Sequence, residues 1–136
     1  GRYANRIAGP CCVVDGETVP LEANEGASKQ LHGGSAGFSH RVFRAEQTGE
    51  SAVTFSLTSQ AGEGGFPGTL ELHATYELCP GALKLRYEAQ CDAPTYCNIT
   101  NHSYFNLNGG GALWATVSGW APAGTPPWAP TPSPSP

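Results

Sequence analysis

The sequence predicts an all-β protein, and its patterning and turn residues support this fold class. Residues 70–78 and 83–90 alternate between apolar and polar side chains, which is the pattern of strands with one buried and one wet face. Turn residues separate the alternating segments, and no segment repeats at the helical period of about 3.6 residues with caps at its ends. We therefore expect this chain to form part of a large antiparallel β-sandwich.

The predicted elements follow one another along the chain as hairpins and loops. Residues 11–21 place β-branched arms on either side of Asp15-Gly16, a dipeptide that favours a two-residue hairpin turn. Residues 22–40 are rich in Gly, Ser and Asn without any period, so they predict a long irregular segment of the kind that often carries function. Residues 53–58 alternate as a half-buried strand, and Pro80-Gly81 joins the two long alternating segments into a hairpin.

Composition and charge exclude several classes of protein. The chain has 136 residues, enough for one domain, and its 7 Lys+Arg against 11 Asp+Glu give a net charge of -4. This mildly acidic balance argues against a nucleic-acid partner or an anionic membrane surface. No apolar run reaches the roughly 20 residues that a membrane-spanning helix needs. The 5 cysteines are odd in number and form no C-x-x-C pair, so we expect reduced thiols in a cytoplasmic protein.

The composition changes sharply near the end of the chain. Asp92 is the last Asp, Glu, Lys or Arg, and all 3 tryptophans and more than half of the 12 prolines follow Gly109. Proline cannot donate to a strand ladder, so this density excludes regular strands. We expect residues 108–136 to form a disordered Gly/Pro/Trp-rich tail, with recognition by a proline-binding groove as the weaker alternative.

Two of the 4 histidines lie in polar or glycine-rich settings. His102 stands between an amide and a hydroxyl residue, and His32 precedes two glycines. Imidazole titrates near neutral pH, so this pair suggests acid–base chemistry on a polar small molecule. His40 and His73 are interpreted as structural residues, His73 because it falls on the polar face of a predicted strand. Zinc bound by His32, His40 and His102 is an alternative, although their spacing fits no short ligand motif.

Five short motifs follow one another in order and with compatible spacing. They are Gly1-Arg2-Tyr3-Ala4-Asn5-Arg6-Ile7, Leu31-His32-Gly33-Gly34, Gly37-Phe38, Gly64-Gly65-Phe66-Pro67-Gly68 and Thr100-Asn101-His102-Ser103-Tyr104-Phe105-Asn106-Leu107. Together they resemble the aldose 1-epimerase family over residues 1–107, and its galactose mutarotases most closely. The resemblance implies a large β-sandwich with the sugar site on a concave sheet face.

The reaction implied by this resemblance interconverts the α and β anomers of aldohexoses such as galactose and glucose. A base removes the proton of the anomeric hydroxyl while an acid protonates the ring oxygen; the ring opens, the C1–C2 bond rotates and the ring closes on the other face. Ordinary side chains suit both proton transfers, so no metal or organic cofactor is expected. A monomer that works in hexose metabolism is the matching expectation.

The resemblance assigns six site residues in this sequence, namely Asn5, Arg6, His32, His102, Ser103 and Tyr104. His102 matches the general acid, and His32 matches a second catalytic histidine that contacts the sugar and helps hold the ring oxygen. Asn5 and Arg6 match a pair that binds sugar hydroxyls, for which arginine offers a rigid fork of donors that lysine cannot copy. The two residues after the acid match sugar-contacting positions. A surface salt bridge is the structural alternative for Arg6, and turns or close backbone approach are the roles expected for Gly33-Gly34 and Gly64-Gly65.

The sequence departs from the family in what it lacks. The resemblance places the general base on a glutamate, and a substrate-binding residue on an aspartate, both beyond the matched residues 1–107. The strands that precede Gly1 in the family have no counterpart either. We therefore expect a sandwich incomplete at both ends, with exposed strand edges, marginal stability and little anomer exchange. Glu17, Glu22, Glu25, Glu63 or another carboxylate could replace the base, but no spacing argument supports any of them.

Two other functions stay open beside the enzyme. A non-catalytic carbohydrate-binding module would keep Asn5, Arg6, His32 and His102 and would bind galactose without exchanging its anomers. A structural or interaction protein would instead use the Pro-rich tail, and deletion of residues 109–136 would then abolish binding of its partner.

Overall fold

A computed structural model of the chain describes residues 1–107 and 109–110. It comprises two compact units, Gly1–Thr100 and Asn101–Pro136. The predicted disordered tail, residues 108–136, lies outside the described residues except for Gly109 and Gly110.

The first unit is built from strands, so the all-β prediction is confirmed. Its strands are β1 (Arg6–Ala8), β2 (Cys11–Val14), β3 (Glu17–Pro20), β4 (Lys29–Leu31), β5 (Arg44–Gly49), β6 (Ala52–Ser59), β7 (Leu70–Cys79) and β8 (Ala82–Cys91). Strands β5 to β8 form one antiparallel sheet in chain order, while β1 pairs with β4 and β2 pairs with β3. Within the described residues the helices are two 3-10 turns, Phe38–His40 and Glu63–Gly65, and none could cross a membrane.

The long hairpin of β7 and β8 is confirmed in position and in pairing. Its register runs from Leu70 opposite Cys91 to Cys79 opposite Ala82, and Pro80-Gly81 forms the turn. The apolar face of β7 is buried at its start and becomes exposed towards the turn, where the side chain of Leu78 is 67% exposed. The predicted apolar and wet faces are therefore present, but only part of the apolar face is covered.

The short hairpin of β2 and β3 is also confirmed. Val14 pairs with Glu17, and the two residues between them, Asp15 and Gly16, both have positive φ angles of 51° and 84°. Positive φ at both central residues is what a type I′ turn requires, and its twist matches the twist of the flanking strands.

Several short elements escaped prediction because their side chains carry no burial pattern. All six residues of β5 are exposed, and backbone pairing with β6 alone places this strand at the sheet edge. The expectation of an entirely irregular segment over residues 22–40 is wrong at β4 and at the turn Phe38–His40. Strand β4 is held by its pairing with β1 and by the burial of Gln30, which is 1% exposed. Its three residues are too few to show an alternating pattern in the sequence.

The buried residues form two hydrophobic clusters and one polar network. One cluster holds Phe38, Leu57, Leu70 and Leu72, and the other holds Cys12, Leu21 and Phe66. Between strand ends and loops lies Arg2, which is 2% exposed. Its guanidinium donates to Ser59 Oγ at 3.0 Å and to four carbonyl oxygens, those of Ser59 (2.9 Å), Gln60 (3.2 Å), Pro67 (3.0 Å) and Gly68 (2.7 Å). Arg2 thus ties the end of β6 to the loop that leads into β7.

Candidate functional site

Asn5 and His32 are joined by two hydrogen bonds that run in opposite directions. The backbone N–H of Asn5 donates to His32 Nδ1 at 3.0 Å, and the backbone N–H of His32 donates to the carbonyl oxygen of Asn5 at 2.9 Å. Both residues have positive φ, 63° and 50°, which is uncommon outside glycine. Because Asn5 precedes β1 and His32 follows β4, these bonds extend the β1–β4 pairing into two strained residues.

The bond to Nδ1 determines what the imidazole of His32 can donate. A neutral imidazole that accepts at Nδ1 carries its proton on Nε2. The backbone of Asn5 therefore sets both the tautomer and the orientation of a half-buried histidine. A histidine held in this way is suited to donate a hydrogen bond from Nε2 to a ligand oxygen.

Two glycines allow the backbone segments around His32 to pass close to one another. A Cβ atom on Gly33 would lie 2.8 Å from the backbone nitrogen of Arg2, and one on Gly64 would lie 2.5 Å from the carbonyl oxygen of Gly33. Both glycines also have positive φ, 83° and 63°. The prediction that these glycines serve turns and close backbone approach is confirmed.

Arg6 lies on β1, and Glu25 holds its guanidinium along one edge. Arg6 Nε donates to Glu25 Oε2 and Arg6 Nη2 donates to Glu25 Oε1, each at 2.6 Å, while Nη1 donates to Asn5 Oδ1 at 3.3 Å. The hydrogen bond from Arg6 holds the pKa of Glu25 below its usual range, and the same bond raises the pKa of Arg6. The salt bridge considered as the alternative role of Arg6 is present, and it continues through Arg6 to Asn5.

Glu25 and Asn24 are parts of this arrangement that sequence reasoning missed. The backbone N–H of Glu25 donates to the carbonyl of Lys29 at 3.2 Å. The side chain of Asn24 accepts from the N–H of Leu31 at 2.6 Å and donates to its carbonyl at 2.9 Å, as a neighbouring strand would. Asn24 therefore fixes the last residue of β4, directly before His32. No pattern signals either role, because each contact is made from an irregular loop.

The other three predicted site residues, His102, Ser103 and Tyr104, lie in the second unit and are exposed. The rings of His102 and Tyr104 have centroids 5.4 Å apart and planes inclined by 53°. The N–H of Ser103 donates to Asn101 Oδ1 at 2.9 Å, which closes an Asx turn around the histidine. The first unit thus brings Asn5, Arg6 and His32 together, and the second carries the predicted acid with its two neighbours.

The carboxylates of Glu25 and Glu63 are poor candidates for a general base. Burial raises the pKa of Glu63, but hydrogen bonds from Ser59 and Arg41 outweigh this effect and leave the pKa below its usual value. These bonds measure 2.9 Å and 2.6 Å. The pKa of Glu25 is likewise lowered. A base works best when its pKa lies near the operating pH, so both carboxylates are weak bases at neutral pH.

The two remaining histidines, His40 and His73, are both exposed. His73 lies on the exposed face of β7 with its Nδ1 3.0 Å from Ser56 Oγ. No three His, Cys, Asp or Glu side chains in residues 1–107 and 109–110 are grouped to hold a metal ion. All the cysteines lie in this described part and are free thiols, and burial raises the pKa of Cys12 and Cys97.

Comparison with known proteins decides the family. The family model described as aldose 1-epimerase matches residues 1–119 of this chain. The chain belongs to the aldose 1-epimerase family. The match includes all six predicted site residues.

Curated relatives come from bacteria and from mammals. An aldose 1-epimerase of Haemophilus influenzae is 45% identical over 108 residues, which are 79% of this chain and 31% of the relative. The aldose 1-epimerase of Escherichia coli is 44% identical over 110 residues, 80% of this chain and 32% of the relative. A galactose mutarotase of Rattus norvegicus is 45% identical over 112 residues, 82% of this chain and 32% of the relative. The chain therefore spans about a third of the length of these relatives.

Solved structures agree with the family and with the fold. The aldose epimerase homologue from C. elegans matches with a TM-score of 0.73 and 32% identity, covering 81% of this chain and 34% of that structure. A galactose 1-epimerase from Lactobacillus acidophilus matches with a TM-score of 0.61 and 31% identity, covering 70% of this chain and 29% of that structure. The prediction of a partial antiparallel β-sandwich of the epimerase type is confirmed.

Proposed function

We propose that this protein acts as an aldose 1-epimerase on aldohexoses such as galactose and glucose. Membership of the family supports the reaction class, and the names of the relatives support a sugar substrate. Within the structure, the paired hydrogen bonds between Asn5 and His32 are the observation that carries the proposal. These bonds join two residues with strained backbones and orient the imidazole of His32, and such strain is typical of functional sites.

The proposed chemistry divides the labour between binding and proton transfer. His32 donates from Nε2 to the sugar, and Asn5 and Arg6 donate to its hydroxyls. His102 protonates the ring oxygen as the general acid, a task that suits a pKa near neutrality. Ser103 and Tyr104 contact the sugar beside the acid. No step of this scheme uses a metal or an organic cofactor.

The general base is the part of the scheme that these residues do not supply. Glu25 and Glu63 are ion-paired and have lowered pKa values, so they are poorly suited to removing the proton of the anomeric hydroxyl. This observation favours a second candidate function, in which the chain binds a carbohydrate without exchanging its anomers. Both candidates share the binding residues, so one experiment distinguishes them.

The cellular setting and the assembly are part of the proposal. The five thiols, which the structure describes in full, are all free, and this supports a reducing compartment such as the cytoplasm. We propose that the chain acts as a monomer, as the resemblance to the family implies, and without nucleic-acid or membrane partners, which its net charge of -4 disfavours. Light scattering after size-exclusion chromatography would test the assembly.

The test follows both anomeric protons by NMR after fresh α-D-galactose is dissolved with the protein. Three proteins are compared: the unsubstituted chain, His102→Ala and the matched control His73→Ala. His73 is also an exposed histidine, but it lies on the face of β7 and pairs with Ser56. Removal of a general acid should reduce the catalysed rate about 10²-fold or more.

The outcomes separate the two functions. Exchange above the spontaneous rate that is lost in His102→Ala and kept in His73→Ala establishes the epimerase with His102 as its acid. Spontaneous exchange with saturable changes in the His32 signals indicates a carbohydrate-binding protein instead. Equal loss in both variants would contradict the role of His102, and spontaneous exchange without any binding would contradict both functions.

A further inference from the structure

Glu25 grips Arg6 in a way that differs from the other surface ion pairs. It accepts two hydrogen bonds of 2.6 Å from Nε and Nη2, so that the carboxylate lies along one edge of the guanidinium. The side chains of Arg6 and Glu25 are 50% and 32% exposed. In contrast, Arg86 and Glu88 on β8 share one hydrogen bond of 2.7 Å, with side chains 65% and 57% exposed. Two-point contact fixes the plane of a guanidinium, whereas a single contact leaves it free to rotate.

The loop that carries Glu25 is itself fixed against β4. Glu25 pairs with Lys29 as an antiparallel bridge, and Arg6 lies opposite Leu31 in the register of β1 with β4. The backbones of Glu25 and Arg6 are therefore both paired with residues of β4. Backbone pairing with β4 thus sets the position of Glu25 relative to Arg6.

This grip leaves the other side of the guanidinium for recognition. Of the N–H groups of arginine, Glu25 accepts from Nε and from one on Nη2. One N–H of Nη1 donates to Asn5 Oδ1 at 3.3 Å, so these bonds within the described residues use three of the five N–H groups and leave one on each Nη atom. Arg6 thus keeps directed donors beside the residue whose backbone orients His32.

Glu25 also changes the charge that a ligand meets. A guanidinium that already faces a carboxylate presents donors with little net charge, so it gains less from an anion than an unpaired arginine would. Lys29 also acts electrostatically on Glu25, so the carboxylate offsets a second cationic side chain in this region. Donors without net charge suit hydroxyl groups better than carboxylates or phosphates.

We propose that Glu25 is a positioning and specificity-determining residue, which aims Arg6 at sugar hydroxyls and cancels its charge so that the site selects neutral over anionic sugars. The inference rests on the proposed function, because it concerns how the same site recognises its sugar. Glu25 acts through Arg6 and takes no part in proton transfer.

The test measures dissociation constants for D-galactose and D-galacturonate, which differ only in the carboxylate at C6. The unsubstituted chain should bind galacturonate no more tightly than galactose. In Glu25→Gln the ratio of the galacturonate to the galactose dissociation constant should fall about fivefold, the size of effect that partly exposed charges exert through water. The matched control Glu88→Gln removes one carboxylate from an exposed arginine pair and should leave the ratio unchanged.

A second variant separates charge from reach and guards against loss of folding. Glu25→Asp keeps the carboxylate but is one methylene shorter, so from the same backbone position it does not reach both nitrogens; it should weaken galactose binding several-fold while the ratio stays near that of the unsubstituted chain. The ¹⁵N signal of Arg6 Nε provides a readout without any sugar. Its proton should exchange slowly in the unsubstituted chain, and rapidly in both variants at position 25.

Each outcome bears on the proposal in a distinct way. Tighter binding of galacturonate than of galactose by the unsubstituted chain would overturn it without any substitution. An unchanged ratio in Glu25→Gln with galactose still bound, or an equal fall in Glu88→Gln, would also overturn it and leave the proposed function intact. Binding of neither sugar by the unsubstituted chain would contradict the proposed function, and this inference with it.

Discussion

Replacement of Arg2 by methionine should destabilise the first unit more than any surface substitution. The methionine side chain is long and apolar, so it fills much of the same space but donates no hydrogen bond. Three of the acceptors of Arg2 are buried, namely Ser59 Oγ and the carbonyl oxygens of Ser59 and Gly68. Each buried acceptor left without a donor costs about 1–3 kcal/mol.

The low end of this range applies, because burial of the charged guanidinium is itself unfavourable and lowers the pKa of Arg2. Three acceptors then give a loss of about 3 kcal/mol in the free energy of unfolding. Small domains have total stabilities of about 5–15 kcal/mol, so this loss is a large fraction. With a urea dependence of about 1.5 kcal/mol per molar, the unfolding midpoint should fall by about 2 M.

The assay is a urea titration at equal protein concentration, in which far-UV circular dichroism monitors the loss of strand structure. The control is Arg86→Met, which removes an exposed arginine that forms one hydrogen bond with Glu88. Its midpoint should stay within about 0.3 M of the unsubstituted chain, since exposed pairs contribute little. If Arg2→Met and Arg86→Met unfold at the same urea concentration, the buried network does not stabilise the fold.

Three further predictions concern the core, the pH dependence and a turn. Phe66→Ala removes a side chain that is 0% exposed and should lower the free energy of unfolding by about 3–5 kcal/mol, measured by urea titration. Glu63 has a lowered folded pKa, so its stabilising contribution is complete above its unfolded value near 4.5 and is lost as the pH falls through the folded value. Unfolding free energies at a series of pH values should therefore decline less towards acid in Glu63→Gln, and a parallel decline would contradict this. Gly16→Ala, at φ 84°, should lose about 1 kcal/mol in the same urea assay, whereas no loss would argue against the type I′ turn.

Local sequence determined the elements whose own residues meet a buried face or a special turn. The alternation in residues 70–78 predicts β7 because every second side chain enters the core, and Leu70 and Leu72 are 1% and 2% exposed. Asp15-Gly16 predicts the β2–β3 hairpin because the dipeptide accepts positive φ at both positions. These signals are complete within a few consecutive residues. Pattern and turn chemistry therefore sufficed for them.

The candidate site could be predicted in part: the family resemblance selected some of its residues, but no sequence signal selected their partners. The resemblance to aldose 1-epimerases selected Asn5, Arg6 and His32, and the first unit brings these three together. It also selected His102, whose role as the general acid stays a prediction. Neither the resemblance nor any pattern selected Glu25 as the partner of Arg6. The ion pair joins residues 19 positions apart, and no periodicity links a strand to an irregular loop.

The sequence was enough to determine the all-β class, the long and short hairpins and the family, and it selected the candidate site residues, whose roles stay predictions. Only the tertiary structure shows that Arg2 is buried, that Asn5 and His32 are joined by two hydrogen bonds, and that Glu25 pairs with Arg6. The physical reason is the range of the interactions. Alternation and turns are energies of neighbouring residues, whereas a buried guanidinium or an oriented imidazole depends on partners that only the folded chain brings within hydrogen-bonding distance.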